Sequence, residues 1–223
     1  MKIGIIGQGY VGTAVKTIFG KYYDLNTFDL NGNCSCKTLD ELVGKSNIIF
    51  VCVPTPMNRD GSCNLDIVKS VISDVNEVAN SYKESKIIAI KSTIPPGTTN
   101  DLNNENKNIT IIFNPEFLTE ANFIDDFKNQ SRIIIGGERV ATTKLRQVYS
   151  LVFPDATIVK TDSITAEMVK YFTNTFLATK VSFANEIKIV CDKLDIDYDN
   201  VVEYATYDDR LGKSHWAVPG PDG

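Results

Sequence analysis

The stretch KIGIIGQGYVGTAVKTIF, residues 2–19, contains the pattern that decides the fold. A short apolar run is followed at once by Gly7, Gly9 and Gly12 in the spacing G-x-G-x-x-G, and a helical pattern begins at Val11. In such a turn the first glycine permits the sharp bend, the second lets a pyrophosphate approach the backbone, and the third lets helix and strand pack closely. This order predicts a dinucleotide-binding turn between a strand and a helix.

An acidic residue follows the turn at a suitable distance. Asp29 lies near the end of a second apolar run, LNTFDL at residues 25–30, about twenty residues after the glycines. A carboxylate there accepts hydrogen bonds from the ribose hydroxyls of a dinucleotide and repels a 2′-phosphate, so NAD is favoured over NADP. The alternative, glycines that serve only a turn beside a solvated acid, leaves the matching order of strand, turn and helix unexplained.

Apolar, β-branched runs alternate with helical patterns along residues 1–160. Strands are predicted for KIGIIG, LNTFDL, NIIFVCV, KIIAIKS, ITIIFN, RIIIGG and ATIVK, and helices for residues 11–19, 66–79 and 141–152. The continuous apolarity of the strands is typical of a parallel sheet buried on both faces. We therefore predict an α/β fold, a doubly wound Rossmann-like parallel sheet, with the polar run at residues 100–110 forming a loop.

The strand pattern stops after residue 160, and helical segments follow at residues 166–187 and 197–204. The chain is predicted to divide into a cofactor-binding domain, residues 1–160, and a region at residues 161–223 that holds a long central helix and the start of a helical dimerisation and substrate region. Because the long helix carries apolar side chains on nearly every side, we expect it to be buried. Lys170 and Asn174 nevertheless lie four residues apart in one of its apolar stripes.

The composition argues against several functional classes. The 223 residues carry a net charge of −5 at pH 7 and have a pI near 5.0. They therefore lack the excess of basic residues that binding to nucleic acid or to an anionic membrane surface requires. With no apolar run of transmembrane length and no export signal, we expect a cytoplasmic protein without a membrane partner. Five scattered cysteines predict free thiols, and the single histidine, His215, argues against a metal site and a Ser-His-Asp hydrolase.

Three loops follow predicted strands: VPTP at residues 53–56, KSTIPPGTT at 91–99 and NPEFLTE at 114–120. In an open α/β sheet, the loops at the carboxyl ends of the strands line the ligand crevice. Turn formation alone explains the prolines, but it does not explain the two carboxylates that flank FLT. The polar side chains that we expect in this site are Thr55, Thr93, Glu116 and Glu120.

These motifs in this order resemble one family. The sequence resembles the UDP-glucose/GDP-mannose dehydrogenase family, most closely its UDP-glucose 6-dehydrogenases, nearly from end to end. The motifs that carry the resemblance are GQGYVG, VPTP, KSTIPPGTT, NPEFLTE, RIIIGG, EMVKYFTNTFLATKVSFANEI and DDRLG. The resemblance implies an enzyme that uses two NAD molecules in succession to oxidise the C6 alcohol of a nucleotide sugar to a carboxylate, through a thiohemiacetal and a thioester on a cysteine.

The resemblance also implies a role for each matching residue. The residues implied to hold NAD are Gly7, Gly9, Tyr10, Val11, Gly12 and Asp29, with Thr55 and Thr93 on the nicotinamide side and Glu120 against the cofactor. The residues implied to bind or convert the substrate are Thr93, Glu116, Phe117, Leu118, Lys170, Asn174 and Arg210. Among these, Glu116 would assist hydrolysis of the thioester, and Lys170 with Asn174 would stabilise the oxyanion at C6.

Lys170 and Arg210 carry two further expectations. A buried ammonium is costly unless it is paired, so we expect Lys170 to need an anionic partner that the chain itself lacks, namely the oxyanion of the substrate. The alternative is a lysine whose stem follows the helix edge to water. By the resemblance, Arg210 reaches the substrate of the neighbouring subunit in a homodimer formed through the long helix.

The resemblance does not extend to the nucleophile. The family's cysteine lies in a segment GFGG-x-C a little beyond the position of DDRLG, and none of the five cysteines of this chain matches it. We therefore expect the nucleophile beyond Gly223 and expect these 223 residues alone to be inactive. The glycine that usually follows the second acid is also replaced, by Ala121.

Three alternatives stay open. One is a non-catalytic NAD-binding or dimerisation fragment. Another is a one-step hydroxyacid dehydrogenase, because such enzymes share the glycine turn and a helical lysine-asparagine pair, although NPEFLTE and DDRLG favour the nucleotide-sugar enzyme. The third concerns the substrate: UDP-glucose is expected, but GDP-mannose or UDP-N-acetylmannosamine fits the same motifs.

Overall fold

The computed structural model describes residues 1–32, 34–82 and 85–220. Within these residues the strands are β1 (Ile3–Ile6), β2 (Leu25–Phe28), β3 (Ile48–Val51), β4 (Lys86–Ile90), β5 (Ile109–Phe113), β6 (Arg132–Gly136) and β7 (Thr157–Thr161). The helices are α1 (Tyr10–Phe19), α2 (Leu39–Lys45), α3 (Asp66–Ala79), α4 (Thr98–Glu105), α5 (Phe123–Lys128), α6 (Arg139–Val152), α7 (Ser163–Leu194) and α8 (Tyr198–Ala205). The predicted second region ends at Gly223, and residues 221–223 lie outside the described residues.

One sheet contains all of these strands in the order β2-β1-β3-β4-β5-β6-β7. The first five in this order are parallel, with Ile3 opposite both Leu25 and Ile48. The predicted doubly wound α/β fold is confirmed. The expectation that the whole sheet is parallel is wrong, because β6 is antiparallel to β5 and parallel to β7. The connection from β5 to β6 contains only the short helix α5, and it reverses the direction of the chain.

Each face of the sheet has its own hydrophobic core under a layer of helices. Ile5 and Phe50 pack with residues of α1, α5 and α6 on one face. Ile49 and Ile88 pack with residues of α2, α3 and α4 on the other. The neighbours Ile49 and Phe50 belong to different cores because successive side chains of a strand point to opposite faces. This double burial explains why the central strands read as continuous apolar runs.

Strand β7 is not buried on both faces, although the sequence predicts that it is. It lies at the edge of the sheet, where β6 is its neighbour on one side. Val159 is 43% exposed, Thr157 and Lys160 are exposed as well, and the other two residues of the strand are half-buried. The expectation of a fully buried strand is therefore wrong for ATIVK, since an edge position leaves its outer side open to solvent.

The predicted loop at residues 100–110 is also wrong, because residues up to Glu105 belong to α4 and residues from Ile109 belong to β5. The side chain of Asn103 joins these two elements. Its Nδ2 donates to the carbonyl oxygens of Thr99 (3.0 Å) and Ile111 (2.8 Å), and its Oδ1 accepts from the backbone N–H of Ile111 (2.9 Å). These bonds stabilise a helix that the weak apolar periodicity of the run did not predict.

The long helix α7 extends beyond its predicted ends. The carboxylate of Asp162 caps its first turn, with Oδ1 accepting from the backbone N–H of Thr165 (2.8 Å) and Oδ2 from the hydroxyl of Thr165 (2.6 Å). The chain divides within this helix into two compact units, Met1–Lys170 and Tyr171–Gly223. The domain boundary after residue 160 stays a prediction.

The second unit comprises the later turns of α7, helix α8 and the segment that follows. Its small core is formed by Ala184, Ile187, Cys191, Tyr198 and Trp216. The expectation of a buried long helix is wrong here, because Phe172, Phe176 and Phe183 are 69%, 58% and 55% exposed. A helix with apolar residues on nearly every side has more apolar surface than this small core covers.

Candidate functional site

The turn between β1 and α1 has the geometry that its glycines predict. Gly7 has φ +90°, and a Cβ there would lie 2.5 Å from the carbonyl oxygen of Cys52. A Cβ on Gly12 would lie 1.9 Å from the carbonyl oxygen of Gly7, so neither position admits a side chain. Around a Cβ on Gly9, by contrast, no atom of the described residues lies within 4 Å. The open space lies at the N-terminus of α1, whose first N–H groups can bind a pyrophosphate.

Asp29 lies directly beside this turn. Its Oδ2 accepts a hydrogen bond from the backbone N–H of Gln8 (2.7 Å), and its Oδ1 accepts from the backbone N–H of Asn31 (2.8 Å). The carboxylate therefore shapes the glycine turn. Each carboxylate oxygen can accept more than one hydrogen bond, so ribose hydroxyls can still be bound. The turn and Asp29 together fit a bound NAD, which would supply a hydride acceptor.

The other predicted cofactor contacts of the first unit lie at the same edge of the sheet. Tyr10 and Val11 begin α1; the side chain of Tyr10 is 54% exposed, and its ring centroid is 5.3 Å from that of Phe123. Thr55 follows β3 and Thr93 follows β4, and both are half-buried. Because β1, β3 and β4 are parallel neighbours, the loops at their carboxyl ends lie side by side.

Lys170 and Glu116 form a largely buried ion pair. Lys170 is 3% exposed, and its Nζ lies 2.9 Å from Oε1 of Glu116. The same ammonium donates to the backbone carbonyl oxygen of Glu116 at 2.6 Å. The expectation that the chain lacks an anionic partner for Lys170 is wrong: the partner is Glu116, in the loop after β5. The alternative of a lysine that reaches water along the helix edge is also wrong, because the ammonium is buried.

The rest of the NPEFLTE loop is arranged around this pair. The second carboxylate oxygen of Glu116 accepts from the backbone N–H of Leu118 at 2.6 Å, which folds the loop back on itself. The ring of Phe117 lies below the ammonium of Lys170, 5.2 Å from Nζ to the ring centroid. Glu120 is exposed. The structure therefore brings Glu116 and Phe117 to Lys170, and Leu118 adjoins this pair through its bond to Glu116.

Two predicted substrate residues belong to the second unit. Asn174 is exposed and follows Lys170 by four residues along α7. Arg210 is exposed after α8, and its Nε donates to Oδ1 of Asp208 at 2.9 Å. A guanidinium at a surface ion pair can exchange this partner for another anion, because such a pair is weakly held in water.

Sequence reasoning missed a buried cluster at the end of β4. Lys91 is 1% exposed, and its Nζ donates to the carbonyl oxygen and the side-chain oxygen of Asn114, both at 3.2 Å, and to the hydroxyl of Tyr149 at 3.3 Å. The Tyr149 hydroxyl in turn donates to the Asn114 side-chain oxygen at 2.6 Å. The signal was present, since Lys91 begins KSTIPPGTT directly after an apolar strand.

Burial shifts the pKa of Lys91, of Tyr149 and of the nearby thiol of Cys52. Loss of hydration lowers the pKa of Lys91 to about 8 and raises the pKa of the Cys52 thiol to about 12. It also raises the pKa of the Tyr149 phenol. At neutral pH Cys52 is therefore a protonated thiol and is unsuited to act as a nucleophile.

Over residues 1–32, 34–82 and 85–220, no group of three or more His, Cys, Asp and Glu side chains is placed to hold a metal ion. Within the same ranges, none of the helices has the length and apolarity that crossing a bilayer requires.

The fold and the glycine turn define a dinucleotide-binding α/β protein. Residues 22–153 match the NAD-binding domain of the UDP-glucose/GDP-mannose dehydrogenase family, and residues 164–223 match the central domain of that family. The chain belongs to the UDP-glucose/GDP-mannose dehydrogenase family. It contains the NAD-binding domain of this family, and its cofactor is NAD.

Curated relatives agree with this assignment. The UDP-glucose 6-dehydrogenase TuaD of Bacillus subtilis is 34% identical over 95% of this chain and 53% of the relative. The UDP-glucose 6-dehydrogenase AglM of Haloferax volcanii is 28% identical over 96% of this chain and 60% of the relative. The chain thus spans little more than half the length of these relatives.

Solved structures have the same fold. A UDP-glucose dehydrogenase from Pyrobaculum islandicum superposes with a TM-score of 0.88 at 28% identity, over 96% of this chain and 58% of that one. A 3-hydroxyisobutyrate dehydrogenase from Mycobacterium tuberculosis superposes with a TM-score of 0.76 at 16% identity, over 99% of this chain and 76% of that one. The second likeness shows the fold alone.

Proposed function

We propose that the chain is the cofactor-binding and central part of an NAD-dependent nucleotide-sugar 6-dehydrogenase that converts UDP-glucose to UDP-glucuronate. The observation that carries the proposal is the Lys170–Glu116 pair, 2.9 Å between Nζ and Oε1, in a loop at the carboxyl edge of the sheet that also holds the glycine turn. A buried ammonium beside a carboxylate supplies both an oxyanion donor and a group that can accept a proton from water.

The overall reaction balances as R-CH2OH + 2 NAD+ + H2O → R-COO− + 2 NADH + 3 H+. Bound NAD accepts the hydrides, two electrons each. An ammonium has three N–H donors, and two of those of Lys170 point to oxygens of Glu116. The third is available to the oxygen on C6, where it stabilises the negative charge that develops as the hydride leaves. Asn174 would donate to the same oxygen, and Thr93 would line the nicotinamide side.

Glu116 would act in the hydrolytic half of the reaction. Its carboxylate would take a proton from the water that attacks the thioester, and the backbone around Phe117 and Leu118 would hold the substrate. The nucleophilic cysteine is expected after Gly223. Cys52 does not suit this role, because its pKa of about 12 keeps it protonated.

The choice of UDP-glucose is supported by relatives that are named UDP-glucose 6-dehydrogenases. GDP-mannose and UDP-N-acetylmannosamine are the alternatives, because solved structures of similar fold include dehydrogenases of both. Family membership disfavours a one-step hydroxyacid dehydrogenase. A non-catalytic NAD-binding fragment is disfavoured by the buried Lys170–Glu116 pair, which a binding module does not need.

A homodimer formed through α7 is part of the same proposal. The exposed rings of Phe172, Phe176 and Phe183 form an apolar surface that a second copy would cover. Arg210, exposed in the same unit, would then reach the substrate of the neighbouring subunit. Sedimentation equilibrium would contradict this part of the proposal by showing a monomer at high protein concentration.

The activity is tested on the protein expressed from its full coding sequence, by following NADH absorbance with UDP-glucose, GDP-mannose and UDP-N-acetylmannosamine in turn. We expect UDP-glucose to be oxidised, and Lys170→Ala to lower turnover about a hundredfold or more, as the loss of one preorganised oxyanion donor does. Lys193→Ala, at an exposed position of the same helix, is the control and should leave turnover unchanged. Near-normal turnover in Lys170→Ala would show that the lysine serves packing instead of chemistry.

A further inference from the structure

Glu167 is a fully buried carboxylate on the first turns of α7. Its Oε2 accepts from the backbone N–H of Gly97 at 2.6 Å. Its Oε1 accepts from both the backbone N–H and the hydroxyl of Thr99, at 2.8 and 2.5 Å. A carboxylate without solvent needs such donors, and three are present.

These donors belong to the start of another helix. The residue before α4 is Gly97, which has no side chain with which to cap the helix, and its φ of +99° belongs to the turn that leads into α4. Glu167 therefore supplies from α7 the cap that α4 lacks, and its negative charge lies at the positive end of the α4 dipole. The loop that carries Thr93 is thereby attached to α7.

A second bond joins the same two helices, because the hydroxyl of Ser163 donates to the side-chain oxygen of Asn100 at 2.7 Å. Of the two α7 residues that contact α4, Glu167 is nearer to Lys170 along the helix than Ser163 is. Residues three apart on a helix are neighbours on one side of it, about 4.5 Å apart along the axis. A displacement of α7 at Glu167 would therefore displace Lys170 as well.

The other end of this short helical segment contacts a different loop. Lys170 donates to the carbonyl oxygen of Glu116 at 2.6 Å and to its Oε1 at 2.9 Å. One turn of α7 thus holds the loop after β4 through Glu167 and the loop after β5 through Lys170. The distance between these two loops depends on the length of this rigid turn.

We propose that Glu167 is a positioning residue: by capping α4, it fixes the position of Lys170 relative to the loop that carries Thr93. It does not touch the reacting atoms. Its effect on catalysis rests on the function proposed above, but its effect on the position of Lys170 does not. A weaker cap lets α7 shift away from α4, and the ammonium of Lys170 then spends more time away from Glu116.

The test compares Glu167→Gln with a matched control, Glu138→Gln. In Glu167→Gln an amide NH2 replaces one acceptor oxygen and faces N–H donors. Glu138 also caps a helix with its carboxylate, accepting from the backbone N–H groups of Val140 and Ala141 at 2.9 Å each, but it caps its own helix α6. Both substitutions weaken a helix cap, and only the first lies next to Lys170 in the chain.

The first readout is the rate at which a water-soluble acylating reagent modifies Lys170 in the chain without ligands, measured by mass spectrometry. Lys91 is the internal reference, because its amine is as deeply buried. We expect Glu167→Gln to raise the modification rate of Lys170 about tenfold, the ratio that corresponds to one charge-assisted hydrogen bond, and to leave Lys91 unchanged. Glu138→Gln should change neither rate.

An equal rise in the modification rates of Lys170 and Lys91 would overturn the proposal, because it indicates general loosening of the fold. No rise at either lysine would also overturn it, because Glu167 would then not be coupled to Lys170.

The second readout is turnover of the full-length protein: Glu167→Gln should lower kcat about tenfold and leave KM for NAD within about threefold. A KM increase at constant kcat would overturn the positioning role. If the wild-type protein oxidises no nucleotide sugar, the proposed function fails, and the labelling of Lys170 still decides the role of Glu167.

Discussion

Two buried lysines lie near the same edge of the sheet, and their ammonium groups are held in opposite ways. Lys91, 1% exposed, is surrounded by neutral acceptors from Asn114 and Tyr149 and by aromatic rings. Lys170, 3% exposed, has the carboxylate of Glu116 at 2.9 Å. Neutral acceptors fix the position of an amine without compensating its charge, and a carboxylate does both.

The difference matters for what each lysine can do. Burial lowers the pKa of Lys91 to about 8, so at mildly alkaline pH the amine of Lys91 is neutral in a fraction of the molecules. Its bonds to Asn114, the first residue of NPEFLTE, make it an anchor for that loop. Lys170 instead has a carboxylate oxygen 2.9 Å from its Nζ, at the place where the proposed chemistry needs an oxyanion donor. Three substitutions examine this contrast, from the largest expected effect to the smallest.

Glu116→Gln would turn the environment of Lys170 into one like that of Lys91. An ammonium left without its carboxylate costs about 3–5 kcal/mol in a buried pair. Because the Glu116 side chain keeps 14% exposure, we expect the lower end, a loss of about 3 kcal/mol in the free energy of unfolding at pH 7, measured by urea denaturation. Adding Lys170→Met should restore much of this loss.

The control for this substitution is Glu120→Gln, at the exposed carboxylate of the same loop. It should change the free energy of unfolding by less than about 0.5 kcal/mol. A similarly small change in Glu116→Gln would mean that water already solvates Lys170, and the contrast between the two lysines would disappear.

Tyr149→Phe removes an acceptor from the other lysine. The hydroxyl of Tyr149 donates to the side-chain oxygen of Asn114 and accepts from Lys91, so two buried hydrogen bonds are lost. We expect the free energy of unfolding to fall by about 1.5 kcal/mol, measured by urea denaturation at pH 7. Tyr23→Phe is the control, because its hydroxyl donates only to the carbonyl oxygen of Val148 among the described contacts. An equal loss in both variants would indicate that Lys91 draws no particular support from Tyr149.

Lys91→Met tests whether the charge of Lys91 is uncompensated, because an uncompensated charge makes the stability of the fold depend on pH. The folded pKa of Lys91, about 8, lies below its ordinary value of 10.5, so the unfolded chain binds more protons between these values and stability increases with pH there. Cys52, with a pKa of about 12 in place of 9.0, acts in the opposite direction above pH 9. We therefore expect wild-type stability to rise by about 1 kcal/mol from about pH 8 to about pH 9 relative to Lys91→Met.

This difference is measured by denaturant titrations at closely spaced pH values. Lys21→Met, at an exposed lysine, serves as the control and should run parallel to wild type. If the profile of Lys91→Met is parallel as well, the amine of Lys91 has an ordinary pKa and its neutral surroundings compensate the charge after all.

Local patterns in the sequence predicted much of the fold. The alternation of apolar runs and helical stretches located every strand of the sheet, and the spacing of three glycines located the cofactor turn. These signals work because periodicity and turn conformation depend on neighbours in the chain. The same reasoning missed α4, whose polar run lacks an apolar face, because its stability comes from Asn103 and from a cap supplied by Glu167.

Only the tertiary structure decided how the buried charges are paired. The sequence placed Lys170 in an apolar stripe and Glu116 in a loop, but these residues lie 54 positions apart. Glu167 and Gly97 lie 70 positions apart. Whether such groups meet depends on the order of the strands and the register of α7, which are set by the packing of the whole unit. A buried charge takes its partner from whatever that packing brings within about 3 Å, so its pairing cannot be read from neighbouring residues.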